Sequence, residues 1–231
     1  MKIIEKINQA IQEANKAEQE KRGKRAYLYA SDIFQCQRRI LLEFNGMKQE
    51  FDAKTLRIFD NGNSVHERIV KYLKDAGYEV EDEQDIPKNE HNIHGRFDAK
   101  IKEDGVPKLV EIKSISIDKQ YKASFVRDML PKTEHKAQLL IYMKYTGINE
   151  GYIIYEVKND QDLLIYPMTF NEEEWKKAEE WITEANKYLK DNIIPPINKK
   201  YGRGEYPCFW KTGGCSFHKY CWGSADVKPE D

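Results

Sequence analysis

"GRFDAKIKEDGVPKLVEIKS", residues 95–114, decides how this chain is read. It reads as two strands joined by a turn at Asp104-Gly105, and an Asp-Gly pair between alternating residues is a strong hairpin signal. Three charges, Asp98, Glu111 and Lys113, interrupt strands that otherwise carry residues suited to burial. Side chains alternate across a strand, so Glu111 and Lys113 share one face while Ile112 points to the other. If 92–103 pairs with 108–114 around the turn, Asp98 reaches that face too.

Working outward, Ile3, Ile4, Ile7 and Ile11 recur at helical spacing over residues 2–20. The stretch 29–46 reads as a helix containing Cys36, capped by Ser31 or Asp32 and ended by Gly46. A further helix is expected from Lys54 to Ala76, with His66, Ile69, Val70 and Leu73 on one face. Strands are expected at 78–86, 92–101 and 108–114. A helix at 131–147 starts with Pro131 and ends with Gly147. A hairpin follows at 151–158 and 162–168, then a helix after Asn171 to about Leu189. The order helix, strands, helix, strands indicates a mixed α/β fold.

The chain has 231 residues, 40% of them hydrophobic and 33% charged, with a net charge of −1. That is the composition of a globular protein with a core of its own. No apolar run approaches the roughly 20 residues of a membrane helix. The opening segment alternates charged and apolar residues, so no secretory signal is expected and the expected location is the cytoplasm. The near-neutral total does not exclude nucleic acid, because basic residues cluster at 20–25, Arg38-Arg39, Lys119/Lys122/Arg127/Lys132/Lys136 and 199–204.

Two carboxylates brought together on a sheet repel each other, and burying an unpaired charge costs several kcal/mol. A divalent cation between Asp98 and Glu111 resolves this, since carboxylate oxygens are the ligands Mg²⁺ and Mn²⁺ prefer. Lys113 beside a metal-bound water can orient it, and the metal lowers that water's pKa. His66 lies on the preceding helix, and Gln138 and Tyr142, four apart, share one helix face. Against this stand ordinary alternatives: a structural histidine, and a Gln and Tyr used for packing.

Cys36, Cys208, Cys215 and Cys221 are the only cysteines. In a cytoplasmic chain such a set favours metal over disulfides. Four thiolates suit a [4Fe–4S] cluster. Zinc on four thiolates, or on three with His218, is the competing reading.

The series "SDIFQCQRR", "GNSVHE", "GRFD", "VEIKS" and "QLLIY" resembles, in chain order, the RecB-type branch of the PD-(D/E)xK nucleases. The cysteine layout resembles its iron–sulfur subset, most closely the CRISPR-associated and phage-borne single-domain exonucleases. The likeness spans about residues 28–222. It implies a PD-(D/E)xK core, a mixed sheet flanked by helices, with a metal-cluster-stapled C-terminal tail. It implies one nuclease domain over 1–231, a catalytic core at 50–190, and a cluster region formed by 28–46 with 200–223. It implies His66, Asp98, Glu111 and the Ile112 carbonyl as ligands of Mg²⁺ or Mn²⁺, and Lys113 positioning the attacking water. Gln138 and Tyr142 would contact DNA or support the site, and the four cysteines would hold a [4Fe–4S] cluster. Phe97 stands where the family's name has proline. The tail spacing is Cys-x6-Cys-x5-Cys where the family's usual first gap is x2.

The activity expected is metal-dependent DNA hydrolysis at single-stranded ends. The partners expected are a CRISPR integrase or phage recombination proteins. Tyr121, Phe125, Phe209 and Trp210 are candidates to stack bases. No GxxxxGK[ST] phosphate loop occurs, so no motor is expected. The alternative from another class is a non-catalytic, metal-stapled DNA-binding or adaptor module.

Overall fold

The structure, a computed structural model, describes residues 2–117, 128–197, 208–210 and 213–223. Tyr121, Phe125, the basic residues 119, 122 and 127, the run 199–204 and most of the segment 200–212 lie outside the described residues. The chain forms two compact units: Met1–Ala26 with Phe34–Arg57 and Glu184–Asp231, and Tyr27–Ile33 with Ile58–Thr183.

In chain order the elements are helix α1 (Ile3–Arg22), strand β1 (Leu28–Tyr29), α2 (Gln37–Phe44), α3 (Ala53–Asp75), β2 (Glu79–Asp85), β3 (Ile93–His94), β4 (Arg96–Glu103) and β5 (Val106–Ile115). Then follow α4 (Thr133–Thr146), β6 (Glu150–Val157), β7 (Leu163–Thr169), α5 (Glu172–Asp191), β8 (Phe209–Trp210), β9 (Gly213–Gly214) and α6 (His218–Trp222). None of the helices is long and apolar enough to cross a membrane.

The larger unit is built on a five-stranded sheet in the order β2-β4-β5-β6-β7. Strands β5 and β6 are parallel and the other neighbours antiparallel. Antiparallel β4 and β5 are joined by the expected tight turn. Asp104 and Gly105 both have positive φ, 50° and 81°, as a type I′ hairpin requires. Parallel β5 and β6 need a long crossover, which contains α4. Residues 137–143 of α4 are all buried, so this helix is a core element and not a surface one. Its C-terminus closes on Gly147 in the left-handed region at φ 73°. Edge strand β2 is almost wholly exposed and carries five acids, a composition that discourages pairing with another chain.

One face of the sheet is sealed by α3. Val65 and Ile69 pack against Ala99, Ile101, Val110, Ile112 and Ile154. The 3.6-residue period then leaves His66 at the rim of that contact, 27% exposed at its side chain.

Gly95 explains the break between β3 and β4. A Cβ there would lie 2.7 Å from Tyr142 Cε1 and 2.9 Å from Ala30 Cβ. The bare backbone lets the Tyr142 ring lie against the start of β4, where Phe97 meets it edge-on at 6.4 Å. Gly95→Ala is therefore expected to cost about 1–3 kcal/mol, as overpacking does in cores. Chemical denaturation checks this, and an unchanged midpoint would contradict it.

In the smaller unit α1 has no buried residue, while Ile40, Leu41 and Leu42 of α2 are buried. The expected helix over 29–46 is shorter. The Tyr29 amide donates to Asp32 Oδ2 at 2.7 Å, holding a 3₁₀ turn at Ala30–Asp32. Phe34 has a positive φ of 59°. Cys36 thus stands at the N-cap of α2 and not within it.

Candidate active site

The β4–β5 ladder runs from Glu103–Val106 to Ala99–Val110. One further step sets Asp98 opposite Glu111. There the side chain replaces the ladder, since the Ile112 amide donates to Asp98 Oδ2 at 2.6 Å. Asp98 is 8% exposed and Glu111 is fully buried. The other Asp98 oxygen lies 3.2 Å from His66 Nδ1. Lys113 pairs its ammonium with Glu111 Oε1, yet neither Glu111 oxygen receives a hydrogen bond of ordinary geometry. Two acids, a lysine and a histidine singled out in the sequence are thus brought together.

Electrostatics follow from that crowding. Burial pushes the Glu111 carboxyl up to about 7, the Asp98 charge adds to this, and Lys113 and His66 partly offset it. For Lys113, burial favours the neutral amine, but the charges of Glu111 and Asp98 outweigh it and raise the pKa. The side chain is therefore a fixed cation, suited to orienting an oxygen nucleophile and not to accepting its proton. For His66, burial lowers the pKa, while the hydrogen bond and charge of Asp98 overcome this and raise it.

Gln138 and Tyr142 are both buried, at 8% and 2% exposure. Gln138 Nε2 donates to Tyr142 Oη at 2.8 Å. Burial, with the charges of Glu111 and Asp98, raises the Tyr142 pKa, so the phenol keeps its proton beside both acids. This pair forms the inner wall of the acid cluster.

Two neighbours were not singled out in the sequence. His135 Nδ1 lies 2.7 Å from Tyr155 Oη, and burial, reinforced by Lys113 and Lys132, drives its pKa down to about 3. It is a neutral imidazole beside a permanent ammonium. Its sequence neighbours are Glu134 and Lys136, and no local signal marks it. Glu83 of β2 is the second. His66, Glu83 and Asp98 each offer a ligand atom, all within 4.8 Å of one another. They line an open cleft of about 820 Å³ together with Asn63, Val70 and Lys71.

Glu111 is the decisive fit test for a divalent ion. Fully buried beside a second acid, the Glu111 carboxylate has the Lys113 ammonium as its one ion-pair partner and no hydrogen bond of ordinary geometry, so two acids there share one fixed cation. Carboxylates with an imidazole suit Mg²⁺ or Mn²⁺.

No protein-family profile and no curated protein matches this sequence. Solved structures do. The crystal structure of SSO0001 superposes with a TM-score of 0.56 at 19% identity, over 97% of this chain and 98% of that one. An alkaline exonuclease, LHK-Exo from Laribacter hongkongensis, gives 0.54 at 15% identity over 72% of this chain and 89% of its own. The same exonuclease in complex with dAMP gives 0.54 at 16%. The fold is like that of an alkaline exonuclease. The mixed sheet flanked by helices expected from the sequence is therefore present, and its likeness to exonucleases rests on coordinates as well as on motifs.

The cysteines lie in the smaller unit, all half-buried. The Cys215 amide donates to the Cys208 carbonyl at 3.0 Å as β8 pairs with β9. Arg38 Nε donates to Cys221 Sγ at 3.2 Å. Burial raises the Cys208 and Cys215 thiols, with added repulsion from Cys36 and Cys221, which places the four within electrostatic range. Among the described residues, no three cysteine sulfurs lie within 4.8 Å of one another.

Proposed function

We propose that this protein is a Mg²⁺- or Mn²⁺-dependent deoxyribonuclease that removes nucleotides from single-stranded DNA ends. The observation that carries the reading is the convergence of Asp98, fully buried Glu111, Lys113 and His66, with Glu111 paired to Lys113 and Asp98 beside His66. Likeness of fold to an alkaline exonuclease supports it.

His66, Asp98, Glu111 and the Ile112 carbonyl would hold the cation. When bound, such an ion polarises the phosphate and acidifies a coordinated water. The chain's own residues do the rest. Asp98 is fixed by the Ile112 amide and by His66, so its free lone pairs are aimed without reorganisation. Lys113 keeps its proton and offers a positive charge to the nucleophile's oxygen or to the phosphate. Tyr142, held by Gln138, closes the inner side of the acid cluster.

The four cysteines would hold a [4Fe–4S] cluster as one region formed by 28–46 and 200–223. Convergence of four sulfurs and the Arg38 donor to Cys221 suit a thiolate-bound metal centre. The biological settings that follow from the sequence resemblance are spacer trimming beside a CRISPR integrase and phage recombination or replication.

End-labelled linear and closed circular single-stranded DNA, incubated with Mg²⁺ or Mn²⁺, test the activity. The linear strand is expected to be shortened and the circle spared, with the shortening absent in EDTA and in Asp98→Asn. Equal cutting of circles would replace the exonuclease by an endonuclease. DNA binding without cleavage in the wild type would favour the adaptor module.

A further inference from the structure

Strands β2 and β4 face each other with a regular charge pattern. Glu79 opposes Lys102, Glu81 opposes Lys100, and Asp85 opposes Arg96. Each of these rungs is an ion pair, at 3.3, 2.7 and 3.1 Å. The register between Asp82–Ala99 and Gln84–Phe97 sets Glu83 opposite Asp98. This rung alone joins two acids, and like charges directly opposite destabilise a sheet. It is also the rung that meets His66, with all three ligand atoms inside 4.8 Å. Two ligands on opposite sides of a Mg²⁺ ion, each at about 2.1 Å, stand about 4.2 Å apart, so the span matches an ion's coordination shell. Arg96 donates from Nη1 to Glu83 Oε2 at 3.1 Å and from Nε to Asp85 Oδ1 at the same distance, which anchors Glu83 in the rung. On the inner side of Asp98, fully buried Glu111 carries both oxygens without a hydrogen bond of ordinary geometry and has only the Lys113 ion pair, an acid excess that points to a cation in the same place.

We propose that Glu83 is a further metal-ligating residue: with His66 and Asp98 it forms the cleft-side half of the cation site, opposite the half supplied by Glu111. This rests on the metal-dependent reading above and adds to it a ligand from the edge strand. A carboxylate on that side faces the open cleft, where DNA phosphate would enter. It keeps the cation in place before substrate supplies its own oxygens.

Mn²⁺ titration followed by electron paramagnetic resonance tests this without any cleavage assay. Wild type is expected to bind Mn²⁺. Glu83→Gln is expected to weaken binding by about 10-fold or more, while the exposed-rung control Glu81→Gln leaves it unchanged. A Glu83→Gln variant that binds like wild type, while Asp98→Asn loses the ion, would overturn the role of Glu83 and leave the main reading standing. No Mn²⁺ uptake by wild type would end both.

Discussion

Glu111→Gln is expected to abolish cleavage and, at the same time, to make the metal-free protein more stable at pH 8. In the fold, burial and the Asp98 charge hold the Glu111 carboxyl at about 7, above the ordinary glutamate value of 4.5. A raised carboxyl favours folding while it is protonated. That contribution is fully present below about pH 4.5 and is lost as pH rises through about 7. The loss is on the order of 3 kcal/mol, at 1.36 kcal/mol per pKa unit. His66 acts in the same direction, since its raised pKa also favours the fold at lower pH. Glutamine carries no titrating proton, so the variant lacks the largest part of this slope. In EDTA at pH 8 its urea midpoint is expected to exceed that of wild type. Added Mn²⁺ stabilises whatever binds it, so it should raise the wild type far more than the variant. A Glu111→Gln protein that is less stable at pH 8, or that still degrades DNA, would contradict the role assigned to this residue.

Cys36→Ala is expected to give poorly soluble protein with a collapsed melting temperature and no bound iron. In the chain-entropy model a cross-link closing more than about 100 residues is worth roughly 5 kcal/mol, against a total domain stability of about 5–15 kcal/mol. Cys36 lies at the start of α2, and Cys208, Cys215 and Cys221 follow near the other end of the sequence. A metal centre joining them therefore closes a long loop within one unit. Arg38 is the second residue of α2 and its guanidinium donates to Cys221 Sγ, so this contact comes from the helix that Cys36 caps. Anaerobically purified wild type is expected to be brown with about four irons per chain, as a cubane cluster requires. Zinc in a colourless preparation would replace the cluster by a single ion. A Cys36→Ala variant melting with the wild type would remove the staple altogether.

The features legible in the sequence are those set by local chemistry. Asp104-Gly105 announced its turn because only a residue pair tolerant of positive φ closes a two-residue hairpin. Gly147 and Asn171 marked helix ends by the same kind of local logic, with Asn171 Oδ1 accepting from the Glu174 amide at 2.9 Å. Asp98, Glu111 and Lys113 stood out because charge on a buried strand is costly. Less was readable where neighbours distant in sequence decide. Gln138 and Tyr142 lie on a helix buried on all sides, so no polar face distinguished wall from surface. Glu83 was hidden within "EVEDEQD", where acids alternate along an exposed edge strand. Only the register against β4 shows that its partner is another acid and not a lysine. His135 is a neutral imidazole through burial beside Tyr155, which the charged run around it, Lys132, Glu134 and Lys136, conceals. The sequence pattern puts Cys36 inside a helix, yet the bond from the Tyr29 amide to Asp32 forms a tight turn first and the helix starts at Gln37.

Anomalous scattering from crystals soaked in Mn²⁺ at pH 8 measures the central claim directly. A single strong peak is expected within bonding distance, about 2.2 Å, of an oxygen of Asp98 and an oxygen of Glu111, with Lys113 drawn away from Glu111. Crystals that show no peak there, and in which Glu111 keeps its contact with Lys113, would contradict it.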